Sequence, residues 1–177
     1  MLQTLGIAYP AIFVKDMQES LNFYRRLGLQ PLYVEPNRDD EESICAMLAT
    51  GDGSTFLQLV GPTHPDVDMA EASPGVGSLQ YLSFHVSMEQ MHEIYYWMAS
   101  AGVKGSEEIA RGYERLVFME DPNGVMIVLI AWETEPPEGM SLPRVLARAA
   151  KIRDAAGVPF VEDEHIKQAI AELQAEG

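Results

Sequence analysis

The chain has 177 residues, of which 47% are hydrophobic, and its formal net charge is −15 at pH 7. This length suits one compact domain or two small modules that share a core, and the composition excludes a disordered chain. The negative charge opposes nucleic-acid binding; it could attract a cationic ligand, although an ordinary acidic surface is the more common reason for such a charge.

The N-terminal segment gives no targeting signal. The stretch "MLQTLGIAYP" lacks a basic region followed by an apolar core, and no apolar run approaches the length of a membrane span. The single cysteine, Cys45, cannot form an intrachain disulfide and is expected to be a buried, inert thiol. We therefore expect a cytoplasmic protein without nucleic-acid or membrane partners.

The first half of the chain predicts one strand, one helix and three further strands. An apolar strand beginning near Tyr9 precedes Asp16, which is a good helix N-cap residue, and apolar side chains then recur at helical spacing up to Gly28. Turn residues separate the three later strands, which are predicted at about 29–35, 43–50 and 54–60.

The second half repeats this order. A strand begins at Tyr81, a helix ends at Gly102, and three strands are predicted at about 105–110, 114–120 and 124–131. The Pro-, Gly- and Asp-rich residues 61–77 read as a linker. The predicted organisation is a first module at 1–60, the linker at 61–77, a second module at 78–132 and a C-terminal extension at 133–177.

The C-terminal extension predicts two helices after a Pro-rich linker. Ser141 can cap a helix that runs to about Ala156, and Asp163 can cap a second helix with an apolar stripe of Ile166, Ile170 and Leu173. Helices this short need a packing surface, which could be their own domain, a partner subunit or the cleft. A homodimer is expected on this argument.

Two motifs, "VKDMQESLNFYRRLGL" and "FMEDPNGVMIVLI", lie at the start of the first half and the end of the second. With the repeat, they resemble the vicinal-oxygen-chelate superfamily, which includes glyoxalase I, extradiol dioxygenases, fosfomycin-modifying enzymes and bleomycin-resistance proteins. The resemblance covers about residues 5–132. It implies an α+β fold in which two tandem βαβββ modules form a curved mixed sheet with an open cleft. Asp121 in the second motif is expected to form the turn rather than to act as a catalytic acid.

The resemblance also implies four metal-ligand positions, which fall here at Tyr9, Gln58, Tyr81 and Val128. A divalent metal prefers carboxylate, imidazole or thiolate ligands, and valine has no donor atom. We therefore expect no metal and no cofactor, and no metal-dependent lyase or dioxygenase activity.

The side chains that face the implied cleft predict a small-molecule site. They are apolar or aromatic with a few polar groups, which suits a partly aromatic ligand. The candidate ligand-binding residues are Tyr9, Phe13, Phe56, Gln58, Tyr81, His85 and Val128. Aromatic residues at such positions can equally be core filler, and His85 can be satisfied by a neighbour on its strand.

Three functions remain open at this point. The chain could be a metal-free binding protein, like the drug-sequestering members of the superfamily. It could be a lyase, an isomerase or a dioxygenase-like enzyme with an unconventional site, in which Tyr9, Tyr81 or His85 acts as an acid or base. It could also be a structural or regulatory subunit whose C-terminal helices recruit a partner.

Overall fold

The computed structural model describes residue 4 and residues 6–64, 66–71, 73 and 75–176. Two four-stranded mixed sheets with their helices, followed by two C-terminal helices, confirm the predicted α+β fold of tandem βαβββ modules. The chain divides into two compact units: unit 1 comprises residues 1–80 and 120–125, and unit 2 comprises residues 81–119 and 126–177. No described helix has both the length and the apolar character needed to cross a membrane.

Unit 1 is built on a sheet, here called sheet A, in the strand order β1-β4-β3-β2. Strand β1 pairs with β4 in parallel, whereas β3 is antiparallel to both of its neighbours. Because β1 and β4 are parallel, the chain has to cross the sheet before it reaches β4, and it does so through α1, which connects β1 to β2. The elements are β1 (Ala11–Phe13), α1 (Met17–Arg26), β2 (Gln30–Pro36), β3 (Ser43–Ala49) and β4 (Phe56–Pro62).

Helix α1 begins and ends as its sequence predicts. The Asp16 side chain caps it by accepting a hydrogen bond of 2.8 Å from the backbone N–H of Glu19. Gly28 follows the C-cap with a φ of +87°, a conformation that glycine adopts readily. Both ends of the crossover helix are thus determined by local chemistry.

One face of sheet A is covered by α1. Gly61 on β4 lies directly against the side chains of Val14 and Met17. Because side chains two residues apart on a strand share a face, Leu57 and Leu59 point to the same side as Gly61. Leu57 and Leu59 are fully buried there. The opposite face of sheet A therefore carries Phe56, Gln58 and Val60 and is turned away from α1.

Unit 2 is built on sheet B, in the strand order β5-β8-β7-β6. The predicted second helix is broken at Glu93 into two shorter helices, the first of which starts with a capping box between Ser87 and Gln90. The elements are β5 (Leu82–His85), α2 (Met88–His92), α3 (Ile94–Ala101), β6 (Ile109–Arg111), β7 (Glu114–Glu120), β8 (Met126–Trp132), α4 (Leu142–Ala156) and α5 (Asp163–Ala175).

The C-terminal helices α4 and α5 dock on sheet B of their own unit. Strand residues Leu116, Val128, Ile130 and Trp132 form one buried cluster with helix residues of α4 and α5. The apolar stripe predicted on the second helix, Ile166, Ile170 and Leu173, is buried there together with Val145 and Ala149 of α4. Because these apolar residues are buried within unit 2, they do not need a partner subunit to cover them. The homodimer remains a prediction, but the apolar stripe is no longer an argument for it.

The start of α5 differs from the prediction. Glu162 rather than Asp163 is the N-cap, and its backbone N–H donates a hydrogen bond of 2.9 Å to Nδ1 of His165 in a reciprocal capping box. Asp163 instead lies in the first turn, where its carboxylate contacts Lys167 at 2.8 Å and Thr134 at 3.2 Å. The side chain three residues into the helix decides which of two adjacent acidic residues caps it.

Candidate functional site

The face of sheet A turned away from α1 has a regular arrangement set by the strand register. One row crosses all four strands through Phe13, Val60, Cys45 and Glu35. The adjacent row runs through Ala11, Gln58, Met47 and Tyr33, and a third contains Phe56, Ala49 and Gln30. Register partners point to the same side of a sheet, so these residues form one surface, which we call the open face.

The open face exposes large apolar groups. Phe13 is 71% exposed, Tyr33 is 46% exposed and Phe56 is 37% exposed. Several exposed apolar groups on one face are typical of a surface that binds a ligand or a partner. Met47 and Cys45 are buried between them and provide an apolar floor.

The polar groups of the open face are few. Gln58 is half-buried at its centre and offers both a donor and an acceptor. Glu35 is exposed at the β2 edge and contributes the only formal charge among the three rows. An apolar surface with a small number of polar groups is the usual composition of a small-molecule site.

Four of the predicted ligand-binding residues lie in unit 1. Phe13, Phe56 and Gln58 share the open face, as the alternation of their strands predicts. Tyr9, two residues before β1, is 43% exposed. Three of these four residues therefore lie together on one accessible surface.

The other three predicted residues lie in unit 2, in a different environment. Val128 has no exposed surface and is part of the cluster beneath α4 and α5. Tyr81 is half-buried against the same cluster and meets Phe118 edge to face, with ring centroids 6.4 Å apart. His85 is exposed and its ring lies 6.0 Å from that of Trp132.

The four implied metal-ligand positions do not fit a divalent metal. Val128 is a hydrocarbon side chain that is packed among helix residues, and Gln58 is neutral. In the described part of the chain, no three His, Cys, Asp or Glu side chains come together in a way that could hold a metal ion. These four residues therefore do not provide a site for metal-dependent chemistry.

A family model, the Glyoxalase/Bleomycin resistance protein/Dioxygenase superfamily, matches residues 6–129. The chain belongs to this superfamily. The match covers well over half of the chain, and it ends within β8, before the C-terminal extension. A search of proteins with curated functions gave no match.

Solved structures share the fold at low sequence identity. A glyoxalase/bleomycin resistance protein/dioxygenase domain from Frankia sp. EAN1pec is 16% identical with a TM-score of 0.63, covering 78% of this chain and 96% of that one. A glyoxalase/dioxygenase from Nostoc punctiforme is 22% identical with a TM-score of 0.55, covering 72% and 91%. The fosfomycin resistance protein FosX from Listeria monocytogenes is 14% identical with a TM-score of 0.57, covering 73% and 95%.

Sequence reasoning missed the contribution of β2 and β3 to the open face. Tyr33 and Glu35 lie opposite Met47 and Cys45 only because the β2–β3 register shifts between Pro31 and Tyr33. A bulge of this kind reverses which side chains face which side. For β3, the turn at residues 50–55 was the available signal. It marks a β3–β4 hairpin, and the register of that hairpin places Met47 opposite Gln58.

Proposed function

We propose that this superfamily member is a metal-independent binding protein for a small, partly aromatic molecule, and that the ligand lies on the open face of sheet A. The observation that carries the proposal is that this face exposes several aromatic rings. Phe13 and Phe56 offer exposed rings, and Gln58 between them can orient a carbonyl or amide group without a charge.

The contrast with unit 2 supports the assignment to sheet A. There the predicted ligand residue Val128 is fully buried among residues of α4 and α5, and Tyr81 is half-buried against the same cluster. Helices thus fill the space that a ligand would need on that face. The chemistry of the implied metal-ligand positions supports a binding function over a metal-dependent reaction.

A binding screen with paired variants tests this function. We expect a neutral planar aromatic compound to raise the melting temperature of the full chain, and Phe13→Ala and Phe56→Ala each to weaken binding about tenfold or more, since a lost aromatic contact is worth ~1.4 kcal/mol. Tyr96→Ala is the matched control, because Tyr96 is 82% exposed on α3 of unit 2. Binding that is equally strong in the two phenylalanine variants would place the ligand elsewhere.

A further inference from the structure

The open face is asymmetric in charge. Its three rows contain no lysine or arginine, and their one charged side chain, Glu35, lies at the β2 edge, three strands away from Phe13. With strands ~4.8 Å apart, Phe13 and Glu35 lie roughly 14 Å from each other across the sheet. Phe13 and the anionic end of the surface at Glu35 are therefore separated by about the length of a fused-ring molecule, and Tyr33 lies beside Glu35 on β2.

A second carboxylate reinforces the anionic end. Burial raises the pKa of the Cys45 thiol, and the negative charges of Glu35 and then Asp39 raise it further. Glu35 is the register partner of Cys45, which is in the same row as Phe13. The four acidic residues 39–42 are exposed in the turn that follows β2, so acidic side chains are concentrated at the end of this edge strand.

The neighbouring cation does not cancel this charge. Arg38 Nε lies 3.9 Å from Glu35 Oε1, and the Arg38 side chain is 87% exposed. An ion pair this long and this solvated is weak and is easily exchanged. Glu35, itself 45% exposed, therefore stays accessible to a cationic group on a ligand.

We propose that the ligand of the open face carries a positive charge, and that Glu35 recognises this charge while the aromatic body lies toward Phe13 and Phe56. The proposal rests on the proposed function and adds the charge class of the ligand. A cation near an aromatic face gains from the ring as well as from the carboxylate. The contribution from Glu35 should weaken as salt screens it.

Two dyes with the same ring system test the proposal. At neutral pH 9-aminoacridine is cationic and acridine is neutral. The ratio of their affinities for the full chain therefore measures how much the positive charge of the ligand contributes to binding. We expect the cation to bind at least tenfold more tightly, and Glu35→Gln to bring the ratio close to one. The control is Glu19→Gln, which removes the same charge from α1 and should preserve the ratio.

The outcomes separate the two proposals. If neither dye binds in a manner that depends on Phe13, the proposed function fails and this inference fails with it. If both bind through Phe13 with a ratio near one in the unaltered protein, only the charge assignment is overturned. If the cationic dye binds more tightly but Glu35→Gln and Glu19→Gln reduce the affinity ratio equally, the preference comes from the net charge of the chain. That result would also overturn the role of Glu35.

Discussion

The phenol hydroxyl of Tyr24 donates a hydrogen bond of 3.0 Å to Oδ2 of Asp121, 97 residues further along the chain, and both side chains are buried. The other carboxylate oxygen of Asp121 accepts hydrogen bonds of 2.8 Å from the backbone N–H groups of Asn123 and Val125. Asp121 thus forms the turn, as the sequence predicts, and connects that turn to α1 within unit 1. Its carboxylate is occupied by structural hydrogen bonds.

Replacing Tyr24 by phenylalanine should destabilise the fold. The change leaves a buried carboxylate oxygen without its phenol donor, and loss of a hydrogen bond to a charged group costs about 1–3 kcal/mol. Urea unfolding followed by circular dichroism measures the effect. Tyr96→Phe is the control, because Tyr96 is 82% exposed and should change the unfolding free energy by less than about 0.5 kcal/mol. Equal stabilities of the two variants would contradict this role of Tyr24.

The same pair predicts a pH dependence in the alkaline range. Burial, followed by the charge of Asp121 and its hydrogen bond, raises the pKa of Tyr24 above its ordinary value of 10.0. The folded chain therefore retains a proton that the unfolded chain releases. The resulting stability is present below pH 10 and is lost as the pH rises above it.

Unfolding free energies on either side of about pH 10 test this dependence. The unaltered protein should lose stability more steeply than Tyr24→Phe, because the variant lacks the titrating hydroxyl. Contributions from the other tyrosines and from lysines cancel in the difference between the two curves. Parallel curves would show that ionisation of Tyr24 is not linked to folding.

Local chemistry made some elements predictable from the sequence. Helix α1 follows from the Asp16 cap and the spacing of its apolar residues, and the alternation of β4 placed Phe56 and Gln58 on one face. The surroundings of β8 could not be predicted in this way. Its sequence "MIVLIAW" is an unbroken apolar run that is buried on both sides, so periodicity says nothing about which helices cover each face.

The register of β2 could not be predicted from the sequence for a different reason. Leu32 lies at an irregularity between Pro31 and Tyr33, and no local signal specifies such a shift of one residue. The position of Glu35 on the open face therefore depends on the pairing of β2 with β3, which the sequence alone does not specify. The candidate site was predictable where it depends on alternation within one strand, and unpredictable where it depends on pairing between strands.

Helices α4 and α5 should be integral to the stability of unit 2. Ile166 is fully buried in the cluster with Val128 and Trp132, so Ile166→Ala leaves a cavity and should cost about 2–5 kcal/mol of unfolding free energy. Val158→Ala is the control, since Val158 is 42% exposed between the two helices and should cost under about 1 kcal/mol. Thermal or urea unfolding of the full chain measures both. A negligible loss in Ile166→Ala would mean that α5 is only loosely attached to sheet B.

Metal content gives the most direct test of a metal-independent function. Of the four implied ligand positions, Val128 has no donor atom and Gln58 has no charge, whereas Tyr9 and Tyr81 would each have to lose a proton to bind nickel, zinc, iron or manganese well. We expect elemental analysis of protein purified without chelator to find far less than one equivalent of any of these metals. Adding excess metal should leave the melting temperature unchanged, because a metal that does not bind the folded chain cannot stabilise it. The control is protein dialysed against a chelator, which should melt at the same temperature as untreated protein. One equivalent of bound metal, lost on dialysis together with thermal stability and reduced in Tyr9→Phe, would contradict the prediction and would return Tyr9 to a ligand role.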